Sequence, residues 1–309
     1  IPIFIVNLRL KTYINLIITF SNMNPLYKIL RFSYHLLKRI NKNFNLIINR
    51  LFFKIDKNYL RKKFLELGLK KGMNVYIHSS LSKFGYIEGG AYALNQVLQD
   101  IIQGGTIMMP TFTHYKEKFN LNEPCWTGKL AETFRLQRNV KRSIHATHSV
   151  VAKGKLANYL VKGHENSKAP FDENSPYAKF TKLDSYILVL GIETNSIFHY
   201  VQNKINFPNL FLPGYYFYKF KNKIIKTKLH NPKGSTTYIF NGKPYIDAKF
   251  LKKFYRVNKF HERGIMKILK IGKATCRLIK TKEFVEIATR YLKDGMKRYK
   301  DEYVSLLKN

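Results

Sequence analysis

Four stretches of this chain gather side chains that could move a proton or hold an anion. The first, His78-Ser79-Ser80-Leu81-Ser82 with Gly89-Gly90 after it, reads as a strand end running into a turn of small hydroxyl residues. Such a turn exposes backbone N–H groups, which suit a phosphate or a thioester carbonyl. It holds neither the GxxxxGK(S/T) of a Walker loop nor a GxGxxG fingerprint. The second, Lys141 to Ser149 (KRSIHATHS), sets two histidines and two serines beside Arg142. That set could support acid–base chemistry and phosphate binding. No carboxylate stands at ligand spacing there, so a metal is not expected. The third runs from His164 to Ser175-Pro176-Tyr177, and the fourth from Gly191 to His199. His199 would stand in the first turn of a helix at the carboxyl edge of a sheet, where α/β proteins place their sites. Each stretch also has a plainer reading, as turn-forming serines, a polar loop satisfying its own backbone, or structural histidines. Residue type alone does not choose among His78, His145, His164 and His199.

The elements that must position these residues are legible in outline. Residues 57–69 read as a helix ending near Gly68 and Gly72, and Asn74–His78 as a short buried strand. A helix from Gly89–Gly90 to Ile102 and a strand Thr106–Met109, stopped by Pro110, follow. Further strands are expected at Ser149–Ala152 and Tyr186–Leu190, and helices at Lys155–Lys162, Ser196–Lys204 and Lys282–Leu292. Strand and helix alternate, which predicts an α/β layered sheet with no internal repeat. Ahead of this lies a different kind of segment. Ile29, Phe32, Leu36, Ile40, Phe44, Ile47 and Leu51 recur every three or four residues among six lysines and arginines. That spacing predicts a basic amphipathic helix over 26–53, able to lie on an anionic membrane or to pack on the rest of the chain.

Charge is unevenly placed along the 309 residues. The chain carries 55 Lys and Arg against 19 Asp and Glu, a net +36. Residues 1–71 hold 15 basic and 2 acidic side chains, residues 214–309 hold 25 and 7, and the middle holds 15 and 10. The excess favours anionic partners such as phosphates, nucleotide-linked substrates or acidic lipid headgroups, and argues against polycations. The 23 Phe and 21 Tyr, with many Lys, Asn and Ile, also fit an A/T-rich genome, so composition alone supplies part of the charge. Cys125 and Cys276 form no CxxC or Cys/His cluster, which points to a reducing cytoplasm. No run reaches the roughly 18–20 apolar residues of a membrane-spanning helix. The chain begins at Ile1 and Met23 is read as its natural start, with residues 1–22 as upstream translated sequence.

Taken in order, these segments resemble the aminoglycoside 3-N-acetyltransferase family. LRKKFLELGLKKGMNVYIHSSLSKFGYIEGG is similar to its opening signature, GGTIMMPTFT to its second strand and turn, and Cys125-Trp126 falls where it often has a Trp. RSIHATHSVVAKG is similar to its Arg-Ser-x-His-Pro loop, SPYAKF to its Ser-Pro element, and LVLGIETNSIFH to its Leu-Gly…Thr-x-x-His element. IGKATCRLIKTKEFVEIATRYL is similar to its closing segment, so the likeness runs from about Leu60 to Leu292. It implies an α/β/α sandwich with a central mixed sheet, over residues 58–309, preceded by an extension over 1–57. It also implies transfer of an acetyl group from acetyl-CoA to an amine, with no metal. On that likeness His199 takes the base role, with His145 and His164 as further catalytic candidates. Ser79, Ser80, Ser82, Arg142 and Ser143 would hold the coenzyme, and Gln202 and Ser175 the substrate. The chemistry agrees: an amine attacks a thioester only when neutral, and an imidazole of pKa near roughly 6.5 suits the removal of its proton. Cys125 as an acyl carrier lacks a local base.

Three departures from the family pattern matter. Gln202 stands where a glutamate is common, Ala146 where a proline is usual, and Ser196 where the family carries its threonine. An aminoglycoside is polycationic and its binder needs carboxylates. The net charge and Gln202 therefore favour a phosphate-bearing amino sugar of surface-polysaccharide assembly, handled at the cytoplasmic membrane face through residues 26–53. The alternatives are a true aminoglycoside 3-N-acetyltransferase, conferring antibiotic resistance, and a non-catalytic basic module binding RNA or membrane. No nucleic-acid motif is present, so nucleic acid is not an expected partner.

Overall fold

The computed structural model describes residues 54–235, 237–240, 243–246 and 250–298, with 33–36, 40 and 50. The amphipathic helix expected over 26–53 lies largely outside the described residues. Lys54 to Asn309 forms one compact unit. Among the described residues no helix is long and apolar enough to cross a membrane.

The unit is built on a seven-stranded mixed sheet. Its centre is β2 (Asn74–Ser79), which pairs in parallel with β4 (Thr106–Pro110) on one side and β7 (Ser185–Leu190) on the other. The remaining members pair antiparallel: β6 (Val150–Gly154) on β4, β5 (Lys141–Arg142) on β6, β13 (Ala274–Lys280) on β7, and β12 (Met266–Ile271) on β13. Outside this sheet, β1 (Lys54–Ile55) pairs with β3 (Tyr86–Ile87), and β8 (Tyr216–Phe220) with β9 (Lys223–Thr227). The hairpin of β10 (Thr237–Phe240) with β11 (Lys243–Ile246) follows.

Helices cover both faces, as a sheet with two apolar faces requires. Successive side chains of a strand point to opposite faces. Val75 and Ile77 thus join one core, with Leu60 and Phe64 of α1 (Lys57–Leu67) and Leu94 and Val97 of α2 (Gly90–Ile102). Tyr76 joins the other, with Phe180 of α5 (Pro176–Thr181), Val201 of α6 (Ile197–Lys204) and Phe284 in the terminal helix Thr281–Arg298. The result is the expected α/β/α sandwich. Two intervening helices, α3 (Lys129–Arg135) and α4 (Ala157–Val161), pack on these cores.

The topology decides where chemistry can gather. β2, β4 and β7 all end at one edge, and Pro110 pairs with Val150, so the loop 143–149 enters β6 at that same edge. The first, second and fourth chemistry-bearing stretches therefore meet there, and His164 of the third is joined to the second by its bond to Ser143. Gly191, just past β7, has φ +71, and a Cβ on it would lie 2.7 Å from the Lys83 Cβ. Only glycine lets the 191–196 turn lie this close to the serine turn.

Candidate active site

His199 lies in the first turn of α6 and is half-buried. Its Nδ1 is 2.8 Å from the Oε1 of Gln202, which is fully buried one turn along the helix. The amide oxygen can only accept, so Nδ1 carries the hydrogen and Nε2 keeps its lone pair. Burial lowers the pKa of His199, and the Gln202 bond opposes that shift. The helix start is held from two sides. The Asn195 carboxamide oxygen accepts the Phe198 N–H at 3.2 Å, and the Nε2 of His78 accepts the Ser196 N–H at 3.2 Å. His78, whose pKa burial and His199 push down to about 3, is thus a neutral anchor between β2 and α6.

His145 and His164 lie behind this point, stacked 4.6 Å apart and fully buried. The Nδ1 of His145 accepts the N–H groups of Thr147 and His148 at 3.2 and 3.1 Å, so its Nε2–H donates to the Thr227 hydroxyl. His164 donates Nε2–H to the Pro170 carbonyl at 3.1 Å and accepts the Ser143 hydroxyl on Nδ1 at 2.9 Å. Both rings have both nitrogens engaged, and burial pushes His145 down to about 3 and His164 well below its ordinary value. They hold the loops in place and have no lone pair for a substrate proton. Ser143 shares that role, since its buried Oγ also accepts the Val150 N–H. Ser175 caps α5 by accepting the Ala178 N–H at 3.2 Å and is fully buried.

Arg142 departs furthest from its expected coenzyme role. Its guanidinium donates to the carbonyls of Leu121, Glu123 and Thr111, while Nε donates to the Ser149 hydroxyl. It also lies over the Phe119 ring. Burial lowers its pKa to about 10. The side chain clasps the 111–123 loop to β5. Lysine cannot reproduce this fork. Arg142→Lys is therefore expected to lower stability by about 2–4 kcal/mol through stranded carbonyls, with the acetyl-CoA KM changed less than threefold. Thermal unfolding and initial rates check both halves.

The Ser79–Ser82 turn remains open. Ser79 and Ser80 are half-buried and Ser82 exposed, with the hydroxyls of Ser80 and Ser82 3.4 Å apart. Cys125 accepts the Thr127 hydroxyl at 3.4 Å, and burial raises its thiol pKa, which opposes thiolate chemistry.

Two further histidines link these groups. His148 lies 6.1 Å from His145 and 5.2 Å from His230, and His230 lies 4.7 Å from His199. Phe171 packs 5.1 Å from His199 and 4.9 Å from His148. The Nε2 of His230 is buried and makes no hydrogen bond among the described residues. His148 lies within the second stretch, where its neighbour His145 fits the loop motif. His230 is a single histidine just past the lysine-rich hairpin of β8 and β9, with no local pattern to mark it.

The family model for aminoglycoside 3-N-acetyltransferase matches residues 76–293. The SPbeta prophage-derived aminoglycoside N(3')-acetyltransferase-like protein YokD of Bacillus subtilis is 29% identical over 280 residues, covering 79% of this chain and 95% of that protein. Aminoglycoside N(3)-acetyltransferase III of Salmonella sp is 30% identical over 169 residues, covering 47% of this chain and 59% of its own length. Against that enzyme the chain spans little more than half. Among solved structures, AAC-IIIb in its binary complex with CoASH aligns at a TM-score of 0.66 and 17% identity, covering 78% of this chain and 97% of that one. The match of the family model over most of the chain places it: this protein belongs to the aminoglycoside 3-N-acetyltransferase family of acyltransferases.

Proposed function

We propose that this chain transfers an acetyl group from acetyl-CoA to the amine of an amino sugar, with His199 as general base. The observation that carries the proposal is the bond from the His199 Nδ1 to the Gln202 Oε1, 2.8 Å long, which leaves Nε2 as an acceptor at the carboxyl edge of the sheet. In the reaction the amine nitrogen bonds to the acetyl carbon while Nε2 takes the amine proton. The C–S bond then breaks, and the CoA sulfur leaves as a thiolate that takes up a proton. The Ser79–Ser82 turn, open at the same edge, is the proposed coenzyme contact. Family membership and the CoASH complex of AAC-IIIb support acetyl-CoA as donor.

For the acceptor we favour an amino sugar that carries phosphate, in surface-polysaccharide assembly. The net charge of +36 and the uncharged Gln202 support it, because both disfavour a polycation. Contact of residues 26–53 with an anionic inner membrane face, and a division into an extension over 1–57 and an acetyltransferase domain over 58–309, belong to the same proposal. The second reading, a free aminoglycoside acceptor, is favoured by the activity in the names of the relatives.

Release of free CoA from acetyl-CoA separates these readings across a panel of nucleotide-linked amino sugars, gentamicin and apramycin. Turnover on a nucleotide-linked amino sugar at least tenfold above that on either antibiotic is the expected result. Preference for gentamicin or apramycin would favour the second reading, and no turnover with no acetyl-CoA binding would defeat both.

A further inference from the structure

A cleft of about 760 Å³, with no histidine in its lining, borders the last turn of α6. Three observations tie it to His199. Asn203, on its wall, directly follows Gln202, the partner of His199. Phe211, also on the wall, bridges to His230, whose ring is 4.7 Å from that of His199. Lys168 and Asp172 line it from the loop that carries Phe171, itself 5.1 Å from His199. The cleft borders the end of α6 away from the serine turn, whereas His78 and the serine turn adjoin its start.

The lining is basic. Lys168, Lys228 and Lys233 face a single carboxylate, that of Asp172. Both Asp172 oxygens are already engaged by backbone: Oδ2 accepts the Lys168 N–H at 2.7 Å and the Ala169 N–H at 3.4 Å, and Oδ1 the Asn174 N–H at 3.0 Å. The ammonium of Lys228 lies 5.6 Å from the centre of the Tyr215 ring, which is 43% exposed. Asn203 and Asn206 add amide donors and acceptors. A partly exposed tyrosine that also carries the Lys226 ammonium 4.2 Å from its ring centre, amides and a positive excess suit a sugar joined to a phosphate. They do not suit an aminoglycoside, which needs carboxylates to meet its ammonium groups.

We infer that this cleft is the acceptor site and takes a glycosyl diphosphate, with Lys168 and Lys228 on the phosphates and Tyr215 against the sugar. The inference rests on the acetyltransferase reading above. A diphosphate on a nucleoside and one on a lipid share this chemistry, and the experiment separates them.

Calorimetric titration of the full chain, saturated with CoA, uses UDP-glucose as the nucleotide probe, farnesyl diphosphate as the lipid probe and tobramycin as the polycation. UDP-glucose or farnesyl diphosphate is expected to bind, and the better of the two names the carrier. In the Lys168→Glu/Lys228→Glu double variant its Kd should rise at least tenfold, with CoA affinity unchanged within twofold. Tyr215→Ala should weaken UDP-glucose several-fold and inorganic pyrophosphate little, a readout that does not depend on charge reversal. A probe that binds the CoA-free chain and is displaced by added CoA would give the cleft to the coenzyme and overturn the inference. So would tobramycin binding that tightens on charge reversal, or a probe Kd the double variant leaves unchanged. Binding of CoA without either diphosphate defeats this inference alone. Failure to bind CoA defeats the acetyltransferase reading, and this one with it.

Discussion

His199→Ala is expected to lower kcat/KM for the acceptor by about 10²- to 10⁴-fold, the usual range for loss of a positioned general base. The imidazole supplies two things together. In the proposed role its Nε2 receives the proton, and its Nδ1–H bond to Gln202 holds that nitrogen in one tautomer. His145, His164 and His78 cannot replace it. His145 and His164 have both nitrogens engaged, and His78 accepts the Ser196 N–H. Binding of acetyl-CoA should change little, because the alanine variant alters the proton acceptor and leaves the serine turn intact. Stability should fall by about 1–3 kcal/mol, since the buried bond between His199 and Gln202 is lost. Initial rates, CoA titration and thermal unfolding measure the three effects separately. A rate loss under tenfold would remove His199 from the base role.

Acid should unfold the protein near pH 5, and the buried histidines are the cause. His145, His148 and His164 are fully or almost fully buried. Burial pushes His145 down to about 3 and the other two well below 6.5, with the neighbouring rings adding to the shift for His148 and His164. The sign follows from proton uptake. Below pH 6.5 the unfolded chain protonates these rings and the folded chain does not, so stability present above 6.5 is lost as the pH falls. Each ring contributes about 1.4 kcal/mol per pH unit. Between pH 6.5 and 5.0 the three together remove about 4–5 kcal/mol, a large part of the ~5–15 kcal/mol typical of a folded domain. Urea midpoints measured from pH 7.5 to 5 should fall steeply, and His164→Asn should flatten the slope by about one proton. A midpoint independent of pH over that range would contradict the burial of neutral imidazoles.

The parts of this structure that the sequence discloses are those set by local pattern. Asn74–His78 reads as a buried strand because Val75, Tyr76 and Ile77 are apolar on both faces and Gly72 bounds the run, and the strand runs one residue further, to Ser79. The predicted helix Ser196–Lys204 begins one residue later, at Ile197, and its three-residue spacing brings Gln202, expected at the substrate, onto His199 instead. What escaped depends on partners far along the chain. Arg142 looks like a phosphate ligand beside Ser143. Only the fold brings it the carbonyls of Thr111 and Glu123, which take its donors. Ser143 meets His164 across 21 residues and His145 meets Thr227 across 82, distances at which no spacing rule operates. The hairpins 216–227 and 266–280 were hidden because their lysines blur the alternation that marks a strand. The terminal helix also runs to Arg298, beyond the expected Leu292.

The central claim is that His199 acts as a neutral base whose state is set by Gln202. It is tested most directly by the pH dependence of kcat, at saturating acetyl-CoA and acceptor, in the wild type and in Gln202→Glu. With glutamine at 202 the lowered imidazole pKa places the acid limb below 6.5. A carboxylate there stabilises the imidazolium, and the limb should move up by about one pH unit or more. At pH values where each protein stays folded, the same acid limb in both, or a limb that persists in the residual activity of His199→Ala, would contradict it.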